Sequence, residues 1–315
     1  MKENNVRVAV VQSSPILFNK ASALTKIESW TKDAAAQEAK LIVFPEVFLS
    51  GYPRGMFLGT RVGSRNSNGR KDWERYLESS IFIPGSDTDI LGAIAKESGV
   101  YLVIGVVERD SEFSKSTLYN SIVYFGPDGS LLGKHRKLMP TGAERLLWGQ
   151  GDGSTLTVIV TPFGKIGGLI CWENYMPLAR AAMYAKGIDI LITPTADARD
   201  TWQATLQHIA CEGRCFVVSG NQFVTKDTYP KDLACYEEIS QEPDILSRGG
   251  SAVVGPLGEY IAGPLYDREG LIVADLNMSL VTQSRYDFDV VGHYSRPDVF
   301  QLHVNEKKQG IVRFL

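Results

Sequence analysis

The chain has 315 residues, of which 44% are hydrophobic and 22% charged, and its formal net charge is −3. So small a negative excess offers no general attraction to nucleic acid or to an anionic membrane surface, and the apolar content is ample for a large core. Met1-Lys2-Glu3-Asn4-Asn5 runs straight into a strand pattern without the apolar stretch of a signal peptide, and no later run reaches membrane-spanning length, so a cytoplasmic location without a membrane partner is expected.

In chain order, Val6 to Gln12 reads as a strand, Ala21 to Ala39 as an amphipathic helix, and Leu41 to Glu46 as a short buried strand ending in a carboxylate. Thr88 to Glu97 reads as a helix. Tyr101 to Glu108 and Leu118 to Phe125 are strands, and Ser130 to Lys134 continues the meander after a hairpin around Pro127-Asp128-Gly129. Thr155 to Ile170 has the β-branched content of a buried strand, and Met176 to Lys186 has helix formers with a stop at Gly187. Ile188 to Thr193 is a strand, Asp200 to Gly213 a helix, and Cys215 to Phe223 a strand. Ala252 to Gly255 pairs with Tyr260 to Ala262 around Pro256-Leu257-Gly258, and Gly270 to Asp275 is the last strand. Two long stretches, Ser50 to Ser80 and Lys226 to Gly250, read as irregular, and the first begins at Gly51-Tyr52-Pro53 close to Glu46, as a pocket border would. No Pro/Gly/Ser-rich linker divides the chain, so residues 1–315 are read as one domain with a short tail from about 290. The alternation predicts a layered α/β architecture.

The four cysteines, Cys171, Cys211, Cys215 and Cys235, form no CxxC pair and have no His at zinc spacing, so neither a disulfide framework nor a metal is expected. Cys171 differs from the rest. It ends the run Gly167-Gly168-Leu169-Ile170, where a strand gives way to a turn before a helix, and such a turn can offer free backbone N–H groups that lower a thiol pKa and hold developing negative charge. The alternative is a small buried hydrophobe. Two further residues complete a pattern. Glu46 ends its strand, and Lys137, in Gly133-Lys134-His135-Arg136-Lys137-Leu138-Met139-Pro140, stands beside apolar residues.

Glu, Lys and Cys in this order and these contexts resemble the carbon–nitrogen hydrolases of the nitrilase superfamily, which use a Glu-Lys-Cys set. His135-Arg136-Lys137-Leu138-Met139-Pro140-Thr141, then Ala143-Glu144-Arg145, then Trp148-Gly149-Gln150-Gly151, and Cys171-Trp172-Glu173-Asn174, are similar to the nitrilase branch. In the amidase and carbamoylase branches a Tyr-Asp or similar pair, then Arg-Phe-Pro, would follow the cysteine. The resemblance runs from Val6 to Gly292-His293-Tyr294. It implies a four-layer α-β-β-α sandwich, no cofactor, a small-molecule nitrile substrate, and at least a homodimer, with a spiral open as a larger form.

On this resemblance Cys171 is the expected nucleophile, since a nitrile carbon is a modest electrophile that needs a soft thiolate. Glu46 is the expected base, taking the thiol proton, passing it to the nitrile nitrogen and later activating water. Lys137, at about 10.4 if unperturbed, is expected to stay cationic and to stabilise negative charge. Glu144 matches the second glutamate of the family and is expected to hold Lys137. Tyr52, Trp148 and Trp172, with Thr141, Pro194 and Thr195, are the expected substrate-binding residues, each with core packing as its alternative. His135 is read as a neighbour that orients its loop.

Rival readings stay open at this point. An aliphatic amidase or a cyanide dihydratase would use the same residues. A papain-like Cys-His hydrolase would need His135, His208 or His293 as base, and a non-catalytic binding or scaffold protein would need none.

Overall fold

A computed structural model describes residues 4–310 and 312. The chain runs β1 (Asn5–Gln12), α1 (Lys20–Ala36), β2 (Leu41–Val43), a small hairpin of β3 (Thr60–Arg61) and β4 (Ser64–Arg65), α2 (Ser67–Ser79) and α3 (Ser86–Ser98). A meander of β5 (Tyr101–Arg109), β6 (Leu118–Phe125) and β7 (Leu131–Arg136) follows. Next come β8 (Val158–Thr161), β9 (Gly164–Gly168), α4 (Pro177–Ala185), β10 (Ile190–Ile192), α5 (Asp200–Gly213), β11 (Phe216–Ser219) and β12 (Phe223–Thr225). The last elements are α6 (Tyr236–Ser240), β13 (Ile245–Val254), β14 (Tyr260–Tyr266), β15 (Gly270–Asn277) and α7 (Ser279–Asp287).

One sheet has the order β15-β1-β2-β5-β6-β7, and the other β12-β13-β11-β10-β9-β8 with β14 on β13. The centres are parallel, β1-β2-β5 and β9-β10-β11, and their strands are apolar on both faces, as doubly covered parallel strands must be. Because side chains alternate along a strand, Val8, Val10, Leu41 and Val43 turn toward Ile166, Ile190, Ile192 and Val218 of the other sheet. Their neighbours Ala9, Val11 and Ile42 turn outward under Ile27 of α1 and Leu91 of α3. On the far side Leu191 and Val217 pack under Met183 of α4 and under Trp202 and Leu206 of α5. The result is the expected α-β-β-α stack.

Several boundaries differ from those expected. The strand at Leu41 stops at Val43, because Pro45 has no N–H to continue the ladder, and Glu46 is released into the loop beyond it. The segment Thr155 to Ile170 is two strands, β8 and β9, folded back as an antiparallel hairpin at Thr161 and Gly164. Likewise Cys215 to Phe223 divides into β11 and β12. The stretch Ser50 to Ser80 contains β3, β4 and α2, whose packed side sets Trp73, Tyr76 and Leu77 beside the buried Gly69, Asp72 and Ser79, so that the polar residues interrupt its short apolar stripe. Asp72 instead accepts hydrogen bonds from Ala234 N–H (3.0 Å) and Cys235 N–H (2.8 Å), tying the two long stretches together. The second stretch, Lys226 to Gly250, holds α6 and the first half of β13.

Gly105 in β5 sets the position of the loop that leaves β2. A Cβ there would lie 2.3 Å from the Pro45 carbonyl oxygen and 2.4 Å from the Val47 nitrogen, so the loop carrying Glu46 can settle on β5 only over a glycine. Gly105→Ala is therefore expected to destabilise the fold by about 1–3 kcal/mol, the usual range for overpacking. The measurement is urea unfolding, with a lower midpoint at unchanged slope; an unchanged midpoint would show that the loop yields freely.

Candidate active site

Three chain segments meet where the two sheets face each other. The first is the loop after β2. Glu46 is fully buried, and its backbone carbonyl accepts from the Gln222 side chain (2.6 Å). Its Oε1 accepts from Asn120 Nδ2 of β6 (2.7 Å) and from Lys137 Nζ (2.9 Å), while Oε2 is buried without a hydrogen-bond partner.

The second segment is the end of β7. Strand alternation sends Lys134 and Arg136 outward, where both bind the buried Glu108 carboxylate, and sends His135 and Lys137 inward. Lys137 Nζ also donates to Glu144 Oε2 (2.7 Å). Glu144 sits in a single 3-10 turn, Gly142–Leu146, where Oε2 also accepts from Thr141 N–H (2.7 Å) and Oε1 from the Tyr52 hydroxyl (2.8 Å). Burial opposes the charge on Lys137, but the Glu46 and Glu144 carboxylates outweigh it and hold the ammonium well above the ordinary lysine range. Burial raises the Glu46 carboxyl above its usual value, Lys137 pulls it back, and Glu144 pushes it up again.

The third segment is the turn after β9. Cys171 is 5% exposed and takes left-handed backbone (φ +51°), a sparsely populated conformation for a residue with a side chain. The turn is over-determined by its neighbours. Asn174 Nδ2 donates to the Leu169 and Cys171 carbonyls (both 2.8 Å), and Arg180 Nη1 donates to the Asn174 carbonyl (2.5 Å). Thr195 Oγ1 donates to Cys171 Sγ (3.0 Å) and accepts from Asp197 N–H (2.9 Å).

Two expectations for this turn are corrected. The Cys171 N–H is not free, because it donates to the Pro194 carbonyl (2.9 Å). Nor is the thiol pKa lowered. Burial, and then the Glu46 charge, push it up to about 12, and Lys137 with the Thr195 hydrogen bond only partly offset them. The resting group is a neutral thiol. No histidine among the described residues touches it. His135 is fully buried but bonds to Glu173 and Thr155, His208 pairs with Glu212, and His293 is exposed in the tail, so the papain-like arrangement is absent.

The expected substrate-binding residues separate into two sets. Tyr52 and Trp148 meet edge to face (5.6 Å between centroids) and line a cavity of about 260 Å³ together with Arg54, Phe57, Glu144 and Leu147. Thr141, Pro194 and Thr195 instead hold Glu144 and Cys171 through the bonds above. Trp172 does not line that cavity. It lies 38% exposed, donating to Asp197 Oδ2 (2.8 Å) beneath the Arg199 guanidinium. Asn120, Gln222 and Glu173 were not expected.

The carbon–nitrogen hydrolase family matches residues 7–286. The chain is 50% identical over 307 residues to an aliphatic nitrilase of Sinorhizobium fredii (strain HH103), covering 97% of each. It is 48% identical to a bifunctional nitrilase/nitrile hydratase of Lupinus angustifolius, over 98% of this chain and 88% of that one. A solved carbon–nitrogen hydrolase of Helicobacter pylori G27 superposes with a TM-score of 0.72 at 22% identity, over 94% and 97% of the two chains.

Thr195→Val removes the donor to Cys171 Sγ. A hydrogen bond to a charged group contributes about 1.5–3 kcal/mol, so alkylation of Cys171 by iodoacetamide at neutral pH is expected to slow about ten- to hundredfold. A rate equal to wild type would show that the hydroxyl does not support the thiolate.

Proposed function

The chain belongs to the carbon–nitrogen hydrolase family, and on that premise we propose that it is a nitrilase, converting an organic nitrile to its carboxylic acid and ammonia through a covalent Cys171 intermediate. Half-identity to an aliphatic nitrilase over nearly the whole chain supports the reaction. The observation that carries the residue roles is the buried Glu46-Lys137-Glu144 cluster beside Cys171, with one Glu46 oxygen left without a partner.

Because the resting thiol is neutral, no thiolate is stored; it forms as substrate arrives. Glu46 Oε2, the free oxygen, takes the Sγ proton while sulfur bonds to the nitrile carbon and one C–N π bond opens onto nitrogen. Negative charge thereby passes from Glu46 to sulfur and on to nitrogen, always within the field of Lys137. The total charge beside the ammonium does not change, so the buried site bears no new desolvation cost. Glu46 returns the proton to nitrogen, giving a thioimidate. It then removes a proton from water as oxygen bonds to the same carbon, and the proton goes to nitrogen. Glu46 next takes the proton of the new hydroxyl and gives it to the NH₂ group, and as the C=O bond forms the C–N bond breaks with loss of ammonia, leaving a thioester. A second water adds by the same route, the C–S bond breaks, and the sulfur recovers its proton as the acid leaves. The balance is two waters consumed per nitrile. Lys137, with the Trp172 N–H at the start of the 3-10 turn Cys171–Tyr175, where no intrahelical acceptor exists, stabilises the charge at each addition. Glu144 anchors Lys137, and Tyr52 anchors Glu144.

The acid is not the sole exit. The intermediate formed when water adds to the thioimidate can expel ammonia or the Cys171 thiolate, and the second route gives amide. Ammonia leaves only after nitrogen is protonated, which the Glu46 carboxylate favours and electron-withdrawing α-substituents oppose.

We also read the protein as one hydrolase domain that assembles at least as a homodimer, supported by the return of β15 to pair with β1 and by exposed Tyr286, Tyr294, Val299 and Phe300 at the chain's end. A reducing, cytoplasmic setting agrees with four unpaired cysteines. No helix among the described residues is long and apolar enough to cross a membrane.

Cys171→Ala is expected to reduce ammonia release from a nitrile panel to background while the melting temperature changes by only a few degrees. Release that persists, or inactivation that tracks alkylation of Cys211, Cys215 or Cys235, would overturn the assignment. Including amides and cyanide in the same panel separates a nitrilase from an amidase or a cyanide dihydratase. Across a substituent series the amide fraction is expected to rise with electron withdrawal, and about 1.4 kcal/mol between exit barriers changes the ratio tenfold. Chromatography of both products reads it, and a flat or falling fraction would refute the partition.

A further inference from the structure

Glu173 and His135 are among the most deeply buried charged or titratable side chains in the protein, and the mechanism uses neither. Glu173 is 1% exposed and His135 fully buried. Glu173 reaches back across the Cys171 turn, and each of its oxygens accepts a backbone N–H. Oε2 takes Ile170 N–H (2.6 Å), immediately before Cys171, and Oε1 takes Leu138 N–H (2.7 Å), immediately after Lys137. One carboxylate therefore links the residue preceding the nucleophile to the residue following the ammonium. The imidazole completes the arrangement. His135 Nδ1 faces the Thr155 carbonyl (2.9 Å), which can only accept, so Nδ1 carries hydrogen. Its Nε2 faces both Glu173 oxygens (3.0 and 3.1 Å), each already turned toward a backbone donor. With Glu173 ionised both oxygens accept, and Nε2 then carries hydrogen too.

We propose that His135 is held as a doubly protonated imidazolium paired with Glu173, and that this buried ion pair is the positioning device that sets Lys137 against Cys171. Neither residue touches the reacting atoms. They act through the backbone at Leu138 and Ile170, and the pair is net neutral, so it places the machinery without adding charge to it. Strand alternation explains why one short stretch serves two purposes: Lys134 and Arg136 point outward to Glu108, while His135 and Lys137 point in. The Tyr124 hydroxyl of β6, also buried, lies within the field of Glu173.

Burial opposes charge on His135, yet the Glu173 charge and hydrogen bonds outweigh it, and the ring titrates above its ordinary value of 6.5. For a histidine whose folded pKa is raised, the stabilisation is complete below the unfolded value and is lost as pH rises through the folded one. The melting temperature of the wild-type protein should therefore carry an alkaline decline that His135→Gln lacks.

The direct test needs no disruption of the pair. The chain has four histidines, and the other three, His208, His293 and His303, lie on the surface, so replacing them with Gln leaves His135 as the one ring to observe. In that protein, labelled with ¹⁵N at histidine, both ring nitrogens are expected to give protonated-type signals at pH 7.5. One protonated and one bare nitrogen would overturn the ion pair, whether or not the protein hydrolyses nitriles. The positioning claim rests on the nitrile-hydrolase reading and is tested by Glu173→Gln. Its amide oxygen can accept only one of the two backbone N–H groups, and its NH₂ must confront the other. The expected result is a kcat lower by about a hundredfold, as for small misplacements of reacting groups, with KM within about threefold. A kcat equal to wild type, or a loss confined to KM, would refute it.

Discussion

One ammonium organises the site. Lys137 Nζ bonds Glu46 and Glu144 at once, in a place none of the three side chains shares appreciably with solvent. A buried charge without a partner is expensive, and removing one member of such a set typically costs about 3–5 kcal/mol. The three groups therefore require one another. They come from the end of β2, the end of β7 and a 3-10 turn, so the ion cluster is also a joint between chain segments far apart in sequence. Asn120 and Tyr52 add neutral donors, the first to the Glu46 oxygen that Lys137 already bonds and the second to the outer oxygen of Glu144.

The same burial determines the state of the Cys171 thiol. A thiol at the carboxyl end of a strand is often expected to be acidic, yet here desolvation and the adjacent carboxylates defeat the single cation, and the proton stays on sulfur. This suits a site that must remain inert until occupied. A carboxyl raised by burial is a stronger base than a solvated one, and in the proposed mechanism the unpartnered oxygen of Glu46 receives the proton. Thiol and carboxylate are thus matched by their shared environment.

Sheet geometry supplies the precision. Both sheets have parallel centres, and the loops leaving β2 and β9 emerge at the carboxyl ends of central strands, where pairing stops and backbone groups can be redirected. The left-handed backbone at Cys171 persists because Pro194, Asn174, Glu173 and Arg180 all hold the turn. The loop of Glu46 lies flat on β5 because residue 105 has no side chain.

Local pattern was enough for much of this. Apolar strands running toward Glu46 and Cys171 and the basic stretch around Lys137 are legible because strand alternation and turn residues act over a few positions, and the layered α/β class follows from their order; Glu144 is singled out only by the family resemblance. Where the signal is weak, the expectation fails: α2 buries glycine and aspartate beside a short stripe of Trp73, Tyr76 and Leu77, and Pro162-Phe163 conceals the hairpin between β8 and β9. Trp172 adjoins Cys171 in sequence, but neighbouring side chains on a tight turn diverge, and its indole N–H donates to Asp197. The direction of the Cys171 shift, the role of Asn120 and the Glu173–His135 pair were decided by tertiary structure alone. Each depends on how many charges and donors from distant segments share one dry space, and electrostatic energies in such a space are set by separation through the fold, which distance along the chain does not encode.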